Sequence, residues 1–354
     1  MKKRFLFIIS IFAVCALLLP SCTPETPAVT TGAAATAAAS EHPAATAEPI
    51  GTLPESPAES VTAEPTEAPA TEGPAPNPYG IFKYDLNRLN VNVSSPYCIV
   101  IDVKTNEILY KNCDVNEKIY PASTTKLLTA IVALQYGDPD AVLTPGDELG
   151  LVAPDSSKAY IKSHHKLSVE MLIEGMLLPS GNDAAYVLAA GIGKIIAGDE
   201  NMNGVDAVAV FVDEMNKYAA DHGLAGSHFT CPDGYHDDNH YSTLLDMMTI
   251  SRYALDEPLI MKYAGLASDD VRYASGHKNT WTNSNLLLDP DSRYYYENAI
   301  GLKTGTTDEA GCCLISAAAL GPKKVLAGVF GAPNTAARFN DSRSLLVAGM
   351  VVAQ

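Results

Sequence analysis

Hydrophobic and polar positions divide this chain of 354 residues into three stretches of different character. Phe5 to Leu19 is a continuous apolar run behind Lys2-Lys3-Arg4, and it ends at Pro20-Ser21-Cys22. That is the layout of a secretory signal peptide, not of an element of the fold. From Cys22 to Pro78 the pattern vanishes: Ala, Thr, Pro and Glu dominate, with eleven Pro, eight Glu and no Lys or Arg. Such a segment buries no core and is expected to be an extended, self-repelling tether. Periodic patterns begin after Tyr79 and run to Gln354, 276 residues, enough for one large domain or two interlocked lobes.

Within that third stretch the elements follow from their periods. Tyr97 to Val103 and Ile108 to Cys113 alternate around a polar turn, which predicts a hairpin centred on Thr105-Asn106 with Cys98 opposite Cys113. Leu127 to Leu134 is an apolar run that reads as a buried helix. Ser168 to Leu178 has an N-cap Ser, an acid in the first turn and apolar residues at helical spacing, then stops at Pro179-Ser180-Gly181-Asn182, from which the next helix departs at Asp183. Val205 to His222 and Leu244 to Leu255 read as further helices. Cys312 to Leu320 and Lys324 to Phe330, split by Gly321-Pro322, read as a hairpin of buried strands, with Lys303-Thr304-Gly305 on the strand before them. Ala336 to Val352 would close the domain as a helix. Strands at both ends enclosing helices imply an α+β domain, an antiparallel sheet flanked by helices whose edge meets a helical lobe at a cleft.

Charge and cysteine content narrow the function classes. The net charge is −17, of which −12 falls on residues 79–354, and this excludes a nucleic-acid partner, since phosphate binding needs a basic face. Apart from Cys15 and Cys22 there are five cysteines, Cys98, Cys113, Cys231, Cys312 and Cys313. An odd number leaves at least one free or paired between chains. Cys98 and Cys113 are either a disulfide across the hairpin or two small buried side chains. No His stands where a catalytic cysteine would need it. His236-Asp237-Asp238-Asn239-His240, with His222 and His228 nearby, reads as a polar turn, so no metal or other cofactor is expected. Tyr294-Tyr295-Tyr296 reads as sheet packing.

The chemistry lies in three short sequences taken in order: Ser123-Thr124-Thr125-Lys126, Ser180-Gly181-Asn182 and Lys303-Thr304-Gly305. A Ser three residues before a Lys on a helical turn puts hydroxyl and amine on one face, so that a neutral amine can take the hydroxyl proton. The spacing alone decides nothing, because Ser163/Lys166 and Ser275/Lys278 share it. Only Ser123 follows Pro121-Ala122 and stands directly before an apolar helix, whose free N–H groups favour a nucleophile and a developing oxyanion.

The ordered trio, with Ile119-Tyr120-Pro121-Ala122-Ser123, Leu178-Pro179-Ser180-Gly181-Asn182-Asp183-Ala184, Asn239-His240-Tyr241-Ser242-Thr243 and Gly301-Leu302-Lys303-Thr304-Gly305, resembles the low-molecular-mass penicillin-binding proteins of the D-alanyl-D-alanine carboxypeptidase type, the S11 serine peptidases. The resemblance runs from about Tyr97 to the C-terminus and implies a β-lactamase/transpeptidase-like fold. It implies Ser123 as nucleophile, Lys126 as general base, Ser180 as proton relay and Asn182 as the group that orients Lys126 and binds the substrate amide. Lys303, Thr304, Gly305 and Thr306 would bind substrate, and the backbone N–H groups of Ser123 and Thr306 would hold the oxyanion. The expected partners are a peptidoglycan stem peptide and, as covalent inhibitors, β-lactams. Two alternatives stand beside the carboxypeptidase: a class A-like β-lactamase, which needs a Glu-positioned water and for which the Glu214-Met215-Asn216 stretch, in a helix, lacks the loop context, and a lipoprotein that binds β-lactams or stem peptides without turnover.

Leu19-Pro20-Ser21-Cys22 resembles a bacterial lipobox, although Pro20 departs from the small or aliphatic residue usual there. It would make Cys22 the lipidated first residue of the mature protein; simple cleavage and an uncleaved anchor are the alternatives. Family members often continue into a C-terminal β-rich domain and an amphipathic membrane helix. This sequence stops at Gln354, so the anchor is expected at Cys22 on the outer face of the cytoplasmic membrane. The expected organisation is a signal peptide over 1–21, a tether over 22–78 and a catalytic domain over 79–354.

Overall fold

The computed structural model describes residues 83–84 and 88–354, so the signal peptide, the tether and Cys22 lie outside the described residues. The chain starts its sheet with β1 (Lys83–Tyr84), β2 (Tyr97–Asp102) and β3 (Glu107–Lys111), then leaves it for a long helical excursion. The excursion holds α1 (Lys126–Tyr136), α2 (Val169–Leu177), α3 (Asn182–Ala197), α4 (Gly204–Asp221), α5 (Leu244–Asp256) and α6 (Pro258–Ala264). Short strand pairs tie it together: β4 (Lys118–Ile119) with β7 (Ser242–Thr243), and β5 (Val142–Leu143) with β6 (Leu167–Ser168). A hairpin, β8 (Ser268–Arg272) and β9 (Lys278–Thr282), precedes the return to the sheet as β10 (Ala299–Thr307), β11 (Gly311–Leu320) and β12 (Lys323–Ala332), and α7 (Thr335–Val352) closes the fold.

The main sheet runs β1-β3-β2-β12-β11-β10, antiparallel except where β1 lies parallel to β3. This is the expected α+β architecture. Both faces of the sheet are covered, which is why Cys98 to Asp102 are buried without a polar alternate. Ile99, Ile101, Ile108 and Leu326 face the helical lobe. Cys98, Val100, Leu109 and Val329 face Phe339, Leu345 and Leu346 of α7, the other half of the period-two pattern. Each such aliphatic side chain, fully buried, contributes about 1.5–3 kcal/mol. The order leaves β10, with Lys303-Thr304-Gly305, as an edge strand of the sheet.

In the helical lobe α3 is buried from Asn182 through Ala190, being flanked by α1, α2 and α4, and its sequence is correspondingly apolar on every face. The Ser168 hydroxyl caps α2 by accepting from Met171 N at 3.1 Å, a bond whose loss costs about 0.5–2 kcal/mol. After α2 the chain turns at Ser180, whose φ of 61° lies in the left-handed region, and α3 begins at Asn182. The second motif thus occupies the predicted turn between helices.

One expectation is revised. A register shift between Val100 and Ile101 pairs Ile99 with Lys111, and Asn112 N donates to Cys98 O at 3.3 Å, so Asn112 and not Cys113 lies opposite Cys98. Both cysteines are free thiols. Tyr294 packs in the layer between the sheet and α7, its ring stacked on Phe339 with centroids 5.1 Å apart. Among the described residues no helix is long and apolar enough to cross a membrane.

Candidate active site

The nucleophile candidate sits on a tighter turn than the sequence suggests. Ala122–Thr125 form a 3-10 turn that runs into α1 at Lys126, and the turn opens on Ala122 at φ 48°, a left-handed conformation that is strained for alanine. Ser123 is half-buried, and its Oγ accepts from Lys126 Nζ at 2.7 Å. The same Nζ donates to Asn182 Oδ1 at 2.8 Å and to the Asp233 carbonyl at 2.6 Å. Three contacts fix the amine against the hydroxyl, and two come from distant parts of the chain.

Burial sets the state of that amine. Lys126 has no exposed surface, and desolvation pulls its pKa down to about 8, against the opposing pull of Asp233, Cys231 and Asp183. A lysine in that range supplies an appreciable neutral fraction near physiological pH. Lys303 is also buried and is held well below its usual range, first by burial and then by the positive charges of Lys126 and Arg338. Its Nζ donates to the Thr304 carbonyl at 3.0 Å.

The edge strand supplies the opposite wall. Thr304 is buried and shares a hydrogen bond of 2.5 Å with the Ser284 hydroxyl, whereas Thr306 is exposed. The missing side chain of Gly305 leaves room for the chain's own backbone. A Cβ there would stand 2.9 Å from Ser123 N, 3.0 Å from Ala122 Cβ and 3.1 Å from Pro121 O. Glycine is what allows β10 to approach the nucleophile's turn.

Beneath the strand lies a residue that the sequence pattern did not single out. Arg338 of α7 is buried, and its Nη1 donates to the Gly305 carbonyl at 3.2 Å and to Thr306 Oγ1 at 3.1 Å. Lys126, Lys303 and Arg338 are a buried group of basic side chains. A cavity of about 350 Å³ opens on Ser123 and Asn182. Ser156, Ser157, Gly234, Tyr235, Thr306 and Thr307 line it, together with three acids, Asp155, Asp308 and Glu309. The Tyr235 hydroxyl reaches across the mouth to Asp155 at 3.1 Å. Ser180 is buried at the foot of α3.

The geometry coincides with that of a known family. The family model for D-alanyl-D-alanine carboxypeptidases, Peptidase S11, matches residues 86–334. The chain belongs to this family. It is 30% identical over 240 residues to the D-alanyl-D-alanine carboxypeptidase DacF of Bacillus subtilis, a match that covers 66% of this chain and 56% of that protein. The solved structure of the Streptomyces K15 DD-transpeptidase superposes with a TM-score of 0.67 at 29% identity, covering 74% of this chain and 99% of that one. Penicillin-binding protein D2 of Listeria monocytogenes, in its ampicillin-bound form, gives a TM-score of 0.60 at 28% identity, covering 73% of this chain and 99% of that one. The fold is thus that of the penicillin-binding proteins and transpeptidases.

Other sequence candidates fall elsewhere. Ser163, Lys166, Ser275 and Lys278 are all exposed, and Lys166 N donates to Ser275 Oγ at 3.3 Å. Glu214, on α4, accepts from the Tyr136 hydroxyl at 2.6 Å and does not line the cavity. His240 is buried beside the turn, its Nε2 2.9 Å from Thr125 Oγ1, and His236 lies edge-on to Tyr120 with centroids 4.9 Å apart.

Proposed function

We propose that this protein is a serine D,D-carboxypeptidase that removes the terminal D-alanine from peptidoglycan stem peptides through an acyl-enzyme on Ser123, and that β-lactams acylate the same hydroxyl. The observation that carries this reading is the 2.7 Å contact between Ser123 Oγ and a Lys126 amine whose burial brings its pKa down to about 8. Lys126 accepts the Ser123 proton as Oγ bonds to the carbonyl carbon of the penultimate D-alanine. The oxyanion is held by the backbone N–H groups of Ser123 and Thr306, a pair worth a few kcal/mol of barrier. Ser180 passes the proton to the leaving D-alanine, Asn182 orients Lys126 and meets the substrate amide, and water then releases the shortened peptide.

Lys303 and Arg338, the basic side chains beneath β10, support a substrate that ends in a carboxylate. Lys303, Thr304 and Thr306 receive that group, with Arg338 reinforcing Thr306 from below. An edge strand is also a template along which an extended peptide can lie. Outside the described residues, a signal peptide over 1–21, a lipid on Cys22 and a tether over 22–78 would hold the site on the outer face of the cytoplasmic membrane, where such peptides are found.

The test uses the full-length chain with an N-acylated peptide ending in Lys-D-Ala-D-Ala and, separately, benzylpenicillin. Free D-alanine and a long-lived penicilloyl adduct on Ser123 are expected. Rapid turnover of the drug would favour a β-lactamase, an adduct without D-alanine release would favour a binding lipoprotein, and a Ser123→Ala chain that still releases D-alanine would overturn the site. Labelling with a radioactive fatty acid, abolished by Cys22→Ala, is the expected result for the anchor.

A further inference from the structure

The segment Cys231–Tyr235 meets the Ser123/Lys126 pair from behind, and the three motifs give it no role. Lys126 Nζ donates to the Asp233 carbonyl at 2.6 Å, and Ser123 Oγ approaches the same oxygen at 3.3 Å. One residue earlier, the Pro232 carbonyl accepts from Thr129 Oγ1 of α1 at 2.6 Å. One residue later, Gly234 at φ +77° lies so close to the turn that a Cβ would stand 1.9 Å from the Ala122 carbonyl. The backbone here is clamped between α1 and the nucleophile's turn.

The Asp233 side chain is 1% exposed. Its Oδ1 accepts from Tyr235 N at 3.2 Å, while its Oδ2 is buried without a hydrogen-bond partner. A buried carboxylate with an unpartnered oxygen is strongly unfavourable unless a positive charge compensates it. Lys126 is the cation that feels it, since Asp233 heads the charges that oppose the effect of burial on Lys126.

The remaining groups around Lys126 do not fill that role. The Asp183 carboxylate of α3 is committed to three backbone donors, Ala159 N at 2.7 Å, Ile161 N at 2.8 Å and Ala184 N at 3.0 Å. Cys231 keeps its proton, because burial and Asp233 both push its thiol up. His240 is neutral near physiological pH, its pKa pulled down to about 4 by burial. Lys303 of β10 is a like charge, and Tyr186 of α3, which faces Asp233, stays a phenol because burial raises its pKa.

We propose that Asp233 is a positioning residue for acyl transfer: its carbonyl holds the Lys126 amine against Ser123, and its carboxylate balances the ammonium that Lys126 becomes. In that step the Ser123 O–H bond breaks as an N–H bond forms on Lys126, and Oγ bonds to the carbonyl carbon, whose π electrons move onto oxygen. A positive charge therefore develops at Nζ, on which Asp233 acts first among the nearby acidic groups. The proposal rests on the acyl-transfer reading of Ser123 and Lys126.

Removing the charge while keeping the backbone has two separable effects. Without the carboxylate Lys126 gives up its proton more readily, so the acid limb of the rate profile moves to lower pH. The transition state also loses its counter-charge, so the plateau falls. A residue that only packs the loop lowers the plateau and leaves the limb in place.

The experiment is acylation of the full-length chain by benzylpenicillin, followed as a second-order rate from about pH 5 to about pH 10. Asp233→Asn is expected to shift the acid limb down by about one pH unit and to lower the plateau by about ten- to a hundredfold, with Asp233→Glu returning the limb toward its original place. Asp233→Ser carries the same expectation as the Asn variant should that one fail to fold. A limb that stays put in a folded neutral variant overturns the proposal, as does failure of the Asn, Ser and Glu variants alike to fold. A wild-type chain that benzylpenicillin does not acylate at all would instead overturn the acyl-transfer reading on which the proposal stands.

Discussion

In the cleft, Ser123 and Lys126 lie on consecutive turns of helical backbone with the amine fully buried; on the surface, the other two Ser-x-x-Lys sequences meet each other in solvent through Lys166 N and Ser275 Oγ. Spacing is common to all three, but only the first has the backbone that makes the spacing meaningful. Ser163 leads through a turn closed by His165 N on Lys162 O into β6, and Ser275 lies in the turn between β8 and β9. Neither stretch is helical, so neither brings hydroxyl and amine onto one face. The second difference is desolvation. Lys126 is covered by α3, β10 and the Pro232-Asp233 segment, and this cover, not the serine, moves its pKa toward the working range.

The largest effect that sharpens this contrast is loss of the amine itself. Lys126→Ala should slow penicillin acylation of Ser123 by about 10²–10⁴, the usual contribution of a positioned general base, while the adduct, once formed, still maps to Ser123. Retention of the wild-type rate would mean that another group takes the proton.

A smaller effect is expected from narrowing the approach of β10. Gly305→Ala introduces a methyl 2.9 Å from Ser123 N. Either the strand or the turn must yield, and a displacement of about 1 Å in the reacting geometry costs up to about 10²-fold in rate. Acylation should therefore fall by about ten- to a hundredfold, with Tm recorded alongside to separate misplacement from unfolding. An unchanged rate would show that Gly305 is not needed for the close contact.

The pH profile tests the desolvation half of the comparison. Lys126 acts as a base only when neutral, and burial brings its pKa down to about 8. Acylation should lose about tenfold per pH unit below that value and level off above it. The sign is fixed by the direction of the shift: with an ordinary lysine the rate would still be climbing at about pH 10.

Much of this was present in local pattern. The cap of α2 at Ser168, the two hairpins and the strand position of Lys303-Thr304-Gly305 follow from short-range rules, because period and turn chemistry act within a few residues. What the pattern missed acts across the chain. Asp233 meets Lys126 over a separation of 107 residues, and Arg338 meets Gly305 over 33. Neither side chain belongs to a motif, and an Asp before a Gly reads as a turn former. The left-handed Ala122 gave no sign either, since alanine prefers helix; only packing against Gly234 and Gly305 accounts for it. The cysteine register differs because the turn lies one residue earlier than Thr105-Asn106, pairing Asp102 with Glu107, and the bulge between Val100 and Ile101 recovers only one of the two residues of offset.

The smallest expected effect is the one that breaks the comparison most cleanly. Lys166 and Lys278 are exposed and do not line the cavity. Lys166→Ala and Lys278→Ala, separately and together, should leave the acylation rate within about twofold and stability within about 0.5 kcal/mol, the range of substitutions away from packed or paired sites. The hydrogen bond from Lys166 to Ser275 survives the first change, since the donor is the backbone amide. A loss of rate comparable to that of Lys126→Ala would mean that the surface copies communicate with the cleft through β8 and β9, and that burial is not what distinguishes the three sequences.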